Sequence, residues 1–121
     1  MDDQAFISSN SPITLEELYK IEQTKLPPME RHHLRLLAHC LSCFKTMVNQ
    51  QSVGPLPNQK DRLKWCLNQR NIGSDKEFAE VLDAQFAAAA IQLEKIALIQ
   101  GVTPLELTLQ DLIKAIASPP I

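Results

Sequence analysis

The stretch "SDKEFAEVLDAQFAAAAIQLEKIALIQG", Ser74 to Gly101, decides the fold. Its apolar residues recur at three- and four-residue steps: Phe78, Leu82, Phe86, Ala89, Leu93, Ile96 and Ala97. That period is the signature of a helix with one face turned to a core. Ser74 with Glu77 reads as a capping box, and Gly101 as a left-handed stop, so the helix should span about 75–100. At 1.5 Å per residue it is about 38 Å long. It is also too apolar for a surface helix, because Ala84, Ala87, Ala88, Ile91, Leu98 and Ile99 fill the remaining faces. The alanine run Ala87 to Ala90 would let a second backbone approach toward the lower end of the usual 8–10 Å spacing. Either the helix is the central rod of a bundle or its back face meets another chain. The second reading is preferred, since a domain of this size has little material to wrap such a rod on every side. An isologous dimer or a partner contact is expected there.

Outward from this helix, helix signals continue in both directions. Thr103-Pro104-Leu105-Glu106 offers a cap, a proline at the first helical position and a glutamate at the third. Thr108 with Asp111 is a competing start, and a short turn at 104–107 followed by a helix from 109 satisfies both. That last helix should end before Pro119-Pro120. Upstream, Asn58 caps a third helix with Asp61 in its first turn; Leu63, Trp65, Cys66 and Leu67 supply its apolar surface, and Gly73 stops it. Before it, a second helix from about Met29 to Asn49 carries the stripe Leu34, Leu37, Leu41, Phe44 and Val48, ended by the loop with Gly54, Pro55 and Pro57. The first helix opens on a Thr14/Glu17 capping box, with Ile13 and Leu18 placed to form a hydrophobic staple, and should run to about Lys25. Residues 1–12 lack any period and are expected to be a flexible terminus ahead of a single helical domain over 13–118. "ITLEELYK" at 13–20 and "LTLQDLIK" at 107–114 agree in kind, which capping chemistry alone explains.

The composition supports an all-α reading. The chain has 121 residues, 45% hydrophobic but only 5% aromatic, so its core must be built from Leu, Ile and Ala. Three glycines leave little for hairpin turns, and no clear period-two run occurs. We expect a compact single-domain bundle of about five helices. The longest apolar stretch, Phe86 to Ile99, is interrupted by Gln92, Glu94 and Lys95 and falls short of the ~20 residues a bilayer requires. The start Met1-Asp2-Asp3-Gln4 lacks a signal-peptide pattern, and three cysteines make no disulfide framework. The expected setting is the reducing cytoplasm.

"MERHHLRLLAHCLSC", Met29 to Cys43, raises the question of a metal or thiol site. On a wheel at 100° per residue, His33 and Cys40 fall on the leucine side. His32, His39 and Cys43 fall opposite, near Arg35 and Thr46. His39 and Cys43, one turn apart, could touch one ion, but His32 is about 10 Å from His39. Zinc needs three or four ligands, so a site would require His39, Cys43, Cys66 and a carboxylate. There is one C-x-x-C, mid-helix, with neither a second pair nor the strand-then-helix context of a redox motif. The preferred reading is core cysteine and solvent-facing histidine, with no metal, no cofactor and no catalytic residue; a metal or thiol site at His39/Cys43 stands as the alternative. Glycines 54, 73 and 101 are isolated, so no phosphate loop exists.

Charge is unevenly spread. Residues 31–70 carry seven basic side chains, Arg31, Arg35, Lys45, Lys60, Arg62, Lys64 and Arg70, against Asp61, a surplus of +6. Residues 71–121 carry three lysines against seven acids, a deficit of -4. The first expectation is internal pairing, with helices two and three lying beside acidic helix four. The second is a basic surface for an acidic protein, and the third a nucleic-acid binder using 31–70. A helix-turn-helix formed by helices three and four is disfavoured, because Asp75, Glu77, Glu80 and Asp83 would push against phosphate. The sequence thus predicts a non-enzymatic interaction or regulatory module, self-associating as a homodimer through helix four. The expected contact residues are Ala84, Ala87, Ala88, Ile91 and Leu98, with Arg31, Arg35, Arg62 and Lys64 as a second, basic surface.

Overall fold

A computed structural model describes residues 14–69 and 75–117. The described residues form five α-helices and one 3-10 turn, with no strand among them: α1 (Leu15–Glu22), α2 (Pro28–Met47), α3 (Gln59–Leu67), α4 (Lys76–Gln100), the turn Pro104–Glu106 and α5 (Leu109–Ala117). This is an all-α bundle, as the periodicity predicts. Helix α4 packs against α2, α3, α5 and the turn, while α1 lies on α2.

Local chemistry sets most boundaries. The Thr14 side chain accepts from Glu17 N at 3.1 Å, and Glu17 Oε1 accepts from Thr14 N at 3.1 Å. Thr108 and Asp111 form the same reciprocal pair at 3.0 and 3.2 Å ahead of α5. The likeness between the two segments therefore expresses shared capping chemistry. Asn58 Oδ1 accepts from Asp61 N at 2.9 Å and opens α3. Gly101, with φ 75°, closes α4 in the left-handed region.

Several boundaries depart from expectation. Helix α1 ends at Glu22, not near Lys25; the Thr24 hydroxyl takes the Ile21 carbonyl at 2.7 Å, and the following prolines disfavour helical backbone. Pro28 begins α2 instead of merely stopping α1, as proline at the first helical position can. Helix α2 ends at Met47 with Asn49 and Gln50 both left-handed, and Gln50 N bonds back to Lys45 O at 2.7 Å, so the helix stops ahead of the Gly54 loop. Asp75 caps α4, its side chain accepting from Phe78 N at 3.1 Å, while the expected Ser74/Glu77 capping box rests on a residue outside those described. Helix α3 stops at Leu67, short of Gly73, where the chain meets Asn68, a poor helix former. Gly73, Ser74, the Ile13 half of the staple, the N-terminal segment and Pro119-Pro120 lie outside the described residues.

The core joins all five helices. Ile21, Leu34, Leu37, Leu41, Phe44, Cys66, Phe86, Leu93 and Leu112 are buried together. Phe86 of α4 is its hinge-pin: its ring centroid is 5.5 Å from that of Phe44 on α2 and 6.0 Å, edge-on, from that of Trp65 on α3. Such tilted pairs favour the ring quadrupoles as well as area burial. The loop after α2 is tied to the turn after α4, Gly54 N donating to Thr103 Oγ1 at 2.9 Å and Leu105 N to Gly54 O at 3.2 Å. Lys45 Nζ holds the carbonyl of Leu107 at 3.1 Å, fixing the same turn onto α2.

Candidate interaction surface

Helix α4 divides into two faces. Ala79, Asp83, Phe86, Ala89, Ala90, Leu93, Ile96 and Ala97 are buried. The predicted inner stripe is thus realised at Phe86, Ala89, Leu93, Ile96 and Ala97, whereas Leu82 is half-buried and Phe78, near the N-terminal end, is exposed. On the opposite side Ala84 and Ala88 are exposed, and Ile91 and Leu98 keep 53% and 82% of their surface in water. Among the described residues, the bundle therefore covers one side of α4 and leaves the other open.

Of the expected contact residues on α4, the structure brings Ala84, Ala88, Ile91 and Leu98 onto one open face, while Ala87 sits half-buried at its edge. Val81, which the sequence reading did not place on that face, is exposed beside them, as is Ile99, which it did; Val102, also exposed, follows the Gly101 cap and lies off the helix. A signal for Val81 was available. Val81, Ala84, Ala88, Ile91, Lys95 and Leu98 step by three and four alternately, the spacing of a helix seam. Exposed apolar residues scattered singly need no explanation, but a continuous stripe does.

The basic residues fall differently. Arg31 Nη1 and Arg35 Nη1 reach the two carboxylate oxygens of Glu22 at 3.2 and 2.6 Å, pinning the end of α1 to α2. Arg62 Nε meets Asp83 Oδ1 at 2.6 Å, and its Nη1 donates to Pro57 O at 3.2 Å. Lys64 stays exposed. Internal pairing is thus real, but α4 supplies the acid for Arg62 alone of these three arginines; for Arg31 and Arg35 it comes from α1, whose carboxylate the charge count had set aside.

Cys43 lies inside the protein and not on the open flank where the wheel placed it, while His33, placed on the core side, is exposed. The buried residues of α2, from Leu34 through Phe44, occupy more than half its circumference. The flank carrying His33, Leu36, Cys40 and Cys43 is exposed at its first two positions and buried at its last two, so cover begins partway along the helix. A wheel that assumes one neighbour misses this. Cys43 Sγ lies 3.7 Å from His39 Nε2. Burial pushes both the Cys40 and Cys43 thiols up to about 12, and the neighbouring Cys40 and Cys66 add to the shift at Cys43. Burial lowers His39. Both shifts disfavour charge, so at neutral pH this cluster is a set of neutral groups, unlike the exposed, electropositive setting that activates a thiol. Among the described residues no group of three His, Cys, Asp or Glu side chains is arranged to hold a metal ion. A cleft of about 240 Å³ between α2 and α5 contains Lys45, whose ammonium is already committed to Leu107 O.

The described residues form an all-α bundle that turns a largely apolar helix face, broken by Lys95, to solvent, as helical interaction proteins do. The sequence profile of the family described as NDH complex assembly factor CRR9 matches residues 13–119. The chain belongs to that family. No curated protein and no solved structure matches it. Among the described residues, no helix is long and apolar enough to cross a membrane.

Proposed function

We propose that the chain is a non-enzymatic assembly factor of the NDH complex, acting by contact with protein partners. The open apolar face of α4 carries this reading. A face with Ile91 and Leu98 more than half exposed is unfavourable for a lone chain, and it gains by being covered. The family description supplies the complex it would serve. Ala84, Ala88, Ile91 and Leu98, with Ala87 at the edge, form the primary contact. Lys64 and the exposed parts of Arg31 and Arg35 offer further basic contacts, while Arg62 is committed to Asp83. Self-association through α4 belongs to the same reading, giving a homodimer that exposes or hides this face according to concentration. The working compartment is the cytoplasm, where the three free cysteines stay reduced.

The test is genetic and structural together. Deleting the gene should lower the amount of intact NDH complex on native gels, and the unaltered chain should restore it. A chain with Ile91→Lys and Leu98→Lys, both at exposed positions, should accumulate in folded form yet fail to restore the complex. Undiminished complex in the deletion strain would overturn the assembly role.

A further inference from the structure

We propose that the occupant of the open α4 face is a second copy of this chain, lying antiparallel, with Lys95 of each copy against Glu77 and Glu80 of the other. The proposal rests on the reading of that face as the self-contact surface and adds the orientation of the two copies and the charged side chains that set it.

Three observations lead there. The first is spacing. Val81, Ala84, Ala88, Ile91, Lys95 and Leu98 are all exposed and alternate steps of three and four residues over about 26 Å. A straight helix has 3.6 residues per turn, so a seam at 3.5 stays in contact with a partner helix that coils gently around it. The partner is thus expected to be another helix of similar length.

The second is the order of sizes. Ala84 and Ala88 lie between Val81 on one side and the larger Ile91 and Leu98 on the other. In a parallel pair, alanine would face alanine and leucine face leucine, leaving the two ends at different separations. In the antiparallel register that sets Lys95 against Glu77 and Glu80, Ala84 of each copy meets Ala88 of the other at the centre and Ile91 meets Val81 on both sides, so the gap is the same toward the two ends.

The third is charge. The seam is acidic at its start, where Glu77 and Glu80 are exposed, and holds one cation, Lys95, toward its end. A parallel pair sets Lys95 against Lys95 and Glu80 against Glu80. An antiparallel pair sets each Lys95 near the acidic start of the other copy, and two-fold symmetry makes the match twice. The face therefore carries both halves of its own complement, which is the property that selects a second copy over an unrelated helix. A contact of one helix on one helix is at the small end for specific interfaces, so the dimer should dissociate on dilution.

Sedimentation equilibrium of the full chain over a concentration series tests this, with circular dichroism confirming that every variant folds. The unaltered chain should show a reversible monomer–dimer equilibrium. Lys95→Glu should weaken the dimer about tenfold, because two attractions become two repulsions, and the pair Glu77→Lys with Glu80→Lys should do the same. All three changes in one chain should restore the affinity to within about threefold of the original. A chain that is monomeric at every concentration, or a dimer whose affinity ignores the single charge changes or is not restored by their combination, overturns the antiparallel self-pair. Where self-pairing fails yet Ile91→Lys with Leu98→Lys still cannot restore the NDH complex in cells, α4 contacts a different chain and the assembly reading stands. Where that double variant restores the complex fully, the reading of the face fails with it.

Discussion

Arg62 Nε lies 2.6 Å from Asp83 Oδ1, and the two side chains keep only 12% and 5% of their surface in water. This ion pair crosses from α3 to α4 beside the Phe86 cluster. Asp83 is the one buried charged residue among those described, and Pro57 O takes a further guanidinium proton at 3.2 Å. Burying two charges gains little net stability, because lost hydration offsets most of the attraction. Removing one partner is another matter, since the survivor is left buried and unpaired.

Asp83→Ala should therefore destabilise the fold by about 3 kcal/mol, at the lower end of the range for broken buried pairs because Arg62 can still reach some water. Urea denaturation followed by circular dichroism measures this. Replacing both partners together, Arg62→Met with Asp83→Leu, should cost much less than Asp83→Ala alone. Equal losses for the single and double variants would mean that the pair is not the cause.

The thiol cluster predicts an alkaline transition. In the folded chain burial favours the neutral thiols, with Cys40 and Cys43 pushed up to about 12, whereas an unfolded cysteine ionises near 8.5. The unfolded chain thus loses these protons first. Their contribution to stability is complete below about pH 8.5 and declines as pH rises from there toward 12. Denaturation midpoints should fall over pH 9–11, and fall less steeply in Cys40→Ala with Cys43→Ala. Near pH 7.5 a thiol reagent should label the native chain far more slowly than the urea-unfolded one. Equal labelling rates would show that the thiols are not shielded.

Gly101 isolates a pure backbone effect. Its φ is 75°, and a Cβ built there would find no atom within 4 Å. Gly101→Ala should destabilise by about 1 kcal/mol through left-handed strain alone, without any clash. For a chain of this length that lowers the melting temperature by a few degrees. A larger loss would point to a disturbed turn at Thr103, where the Glu106 carboxylate accepts from Thr103 N and Oγ1, both at 2.8 Å.

The boundaries at Thr14, Asn58, Gly101, Thr103 and Thr108 were legible in the sequence because each is made by atoms three or four residues apart. A side chain that caps its own helix needs no tertiary partner, so residue type and spacing suffice. The start of α4 shows the limit: residue type alone does not rank two adjacent cap formers, and the Asp75 side chain accepts from Phe78 N. The excess of apolar residues on α4 was equally plain, since hydrophobic periodicity is local.

Which side of α4 stays open was decided only by the tertiary structure. So were the burial of Cys43, the exposure of His33, the pairing of Arg31 and Arg35 with Glu22, and the tie between Gly54 and Thr103. Each depends on where a second element lies, and that element is distant in sequence. A helical wheel can assign one inner face, but α2 is covered over more than half its circumference, and α4 is covered on one side despite being greasy on both. The sequence by itself determined that five helices form, where most of them begin and end, and that one carries more apolar surface than a single face can use. Packing determined how that surface is shared between core and solvent, because burial is a property of neighbours, not of the residue buried.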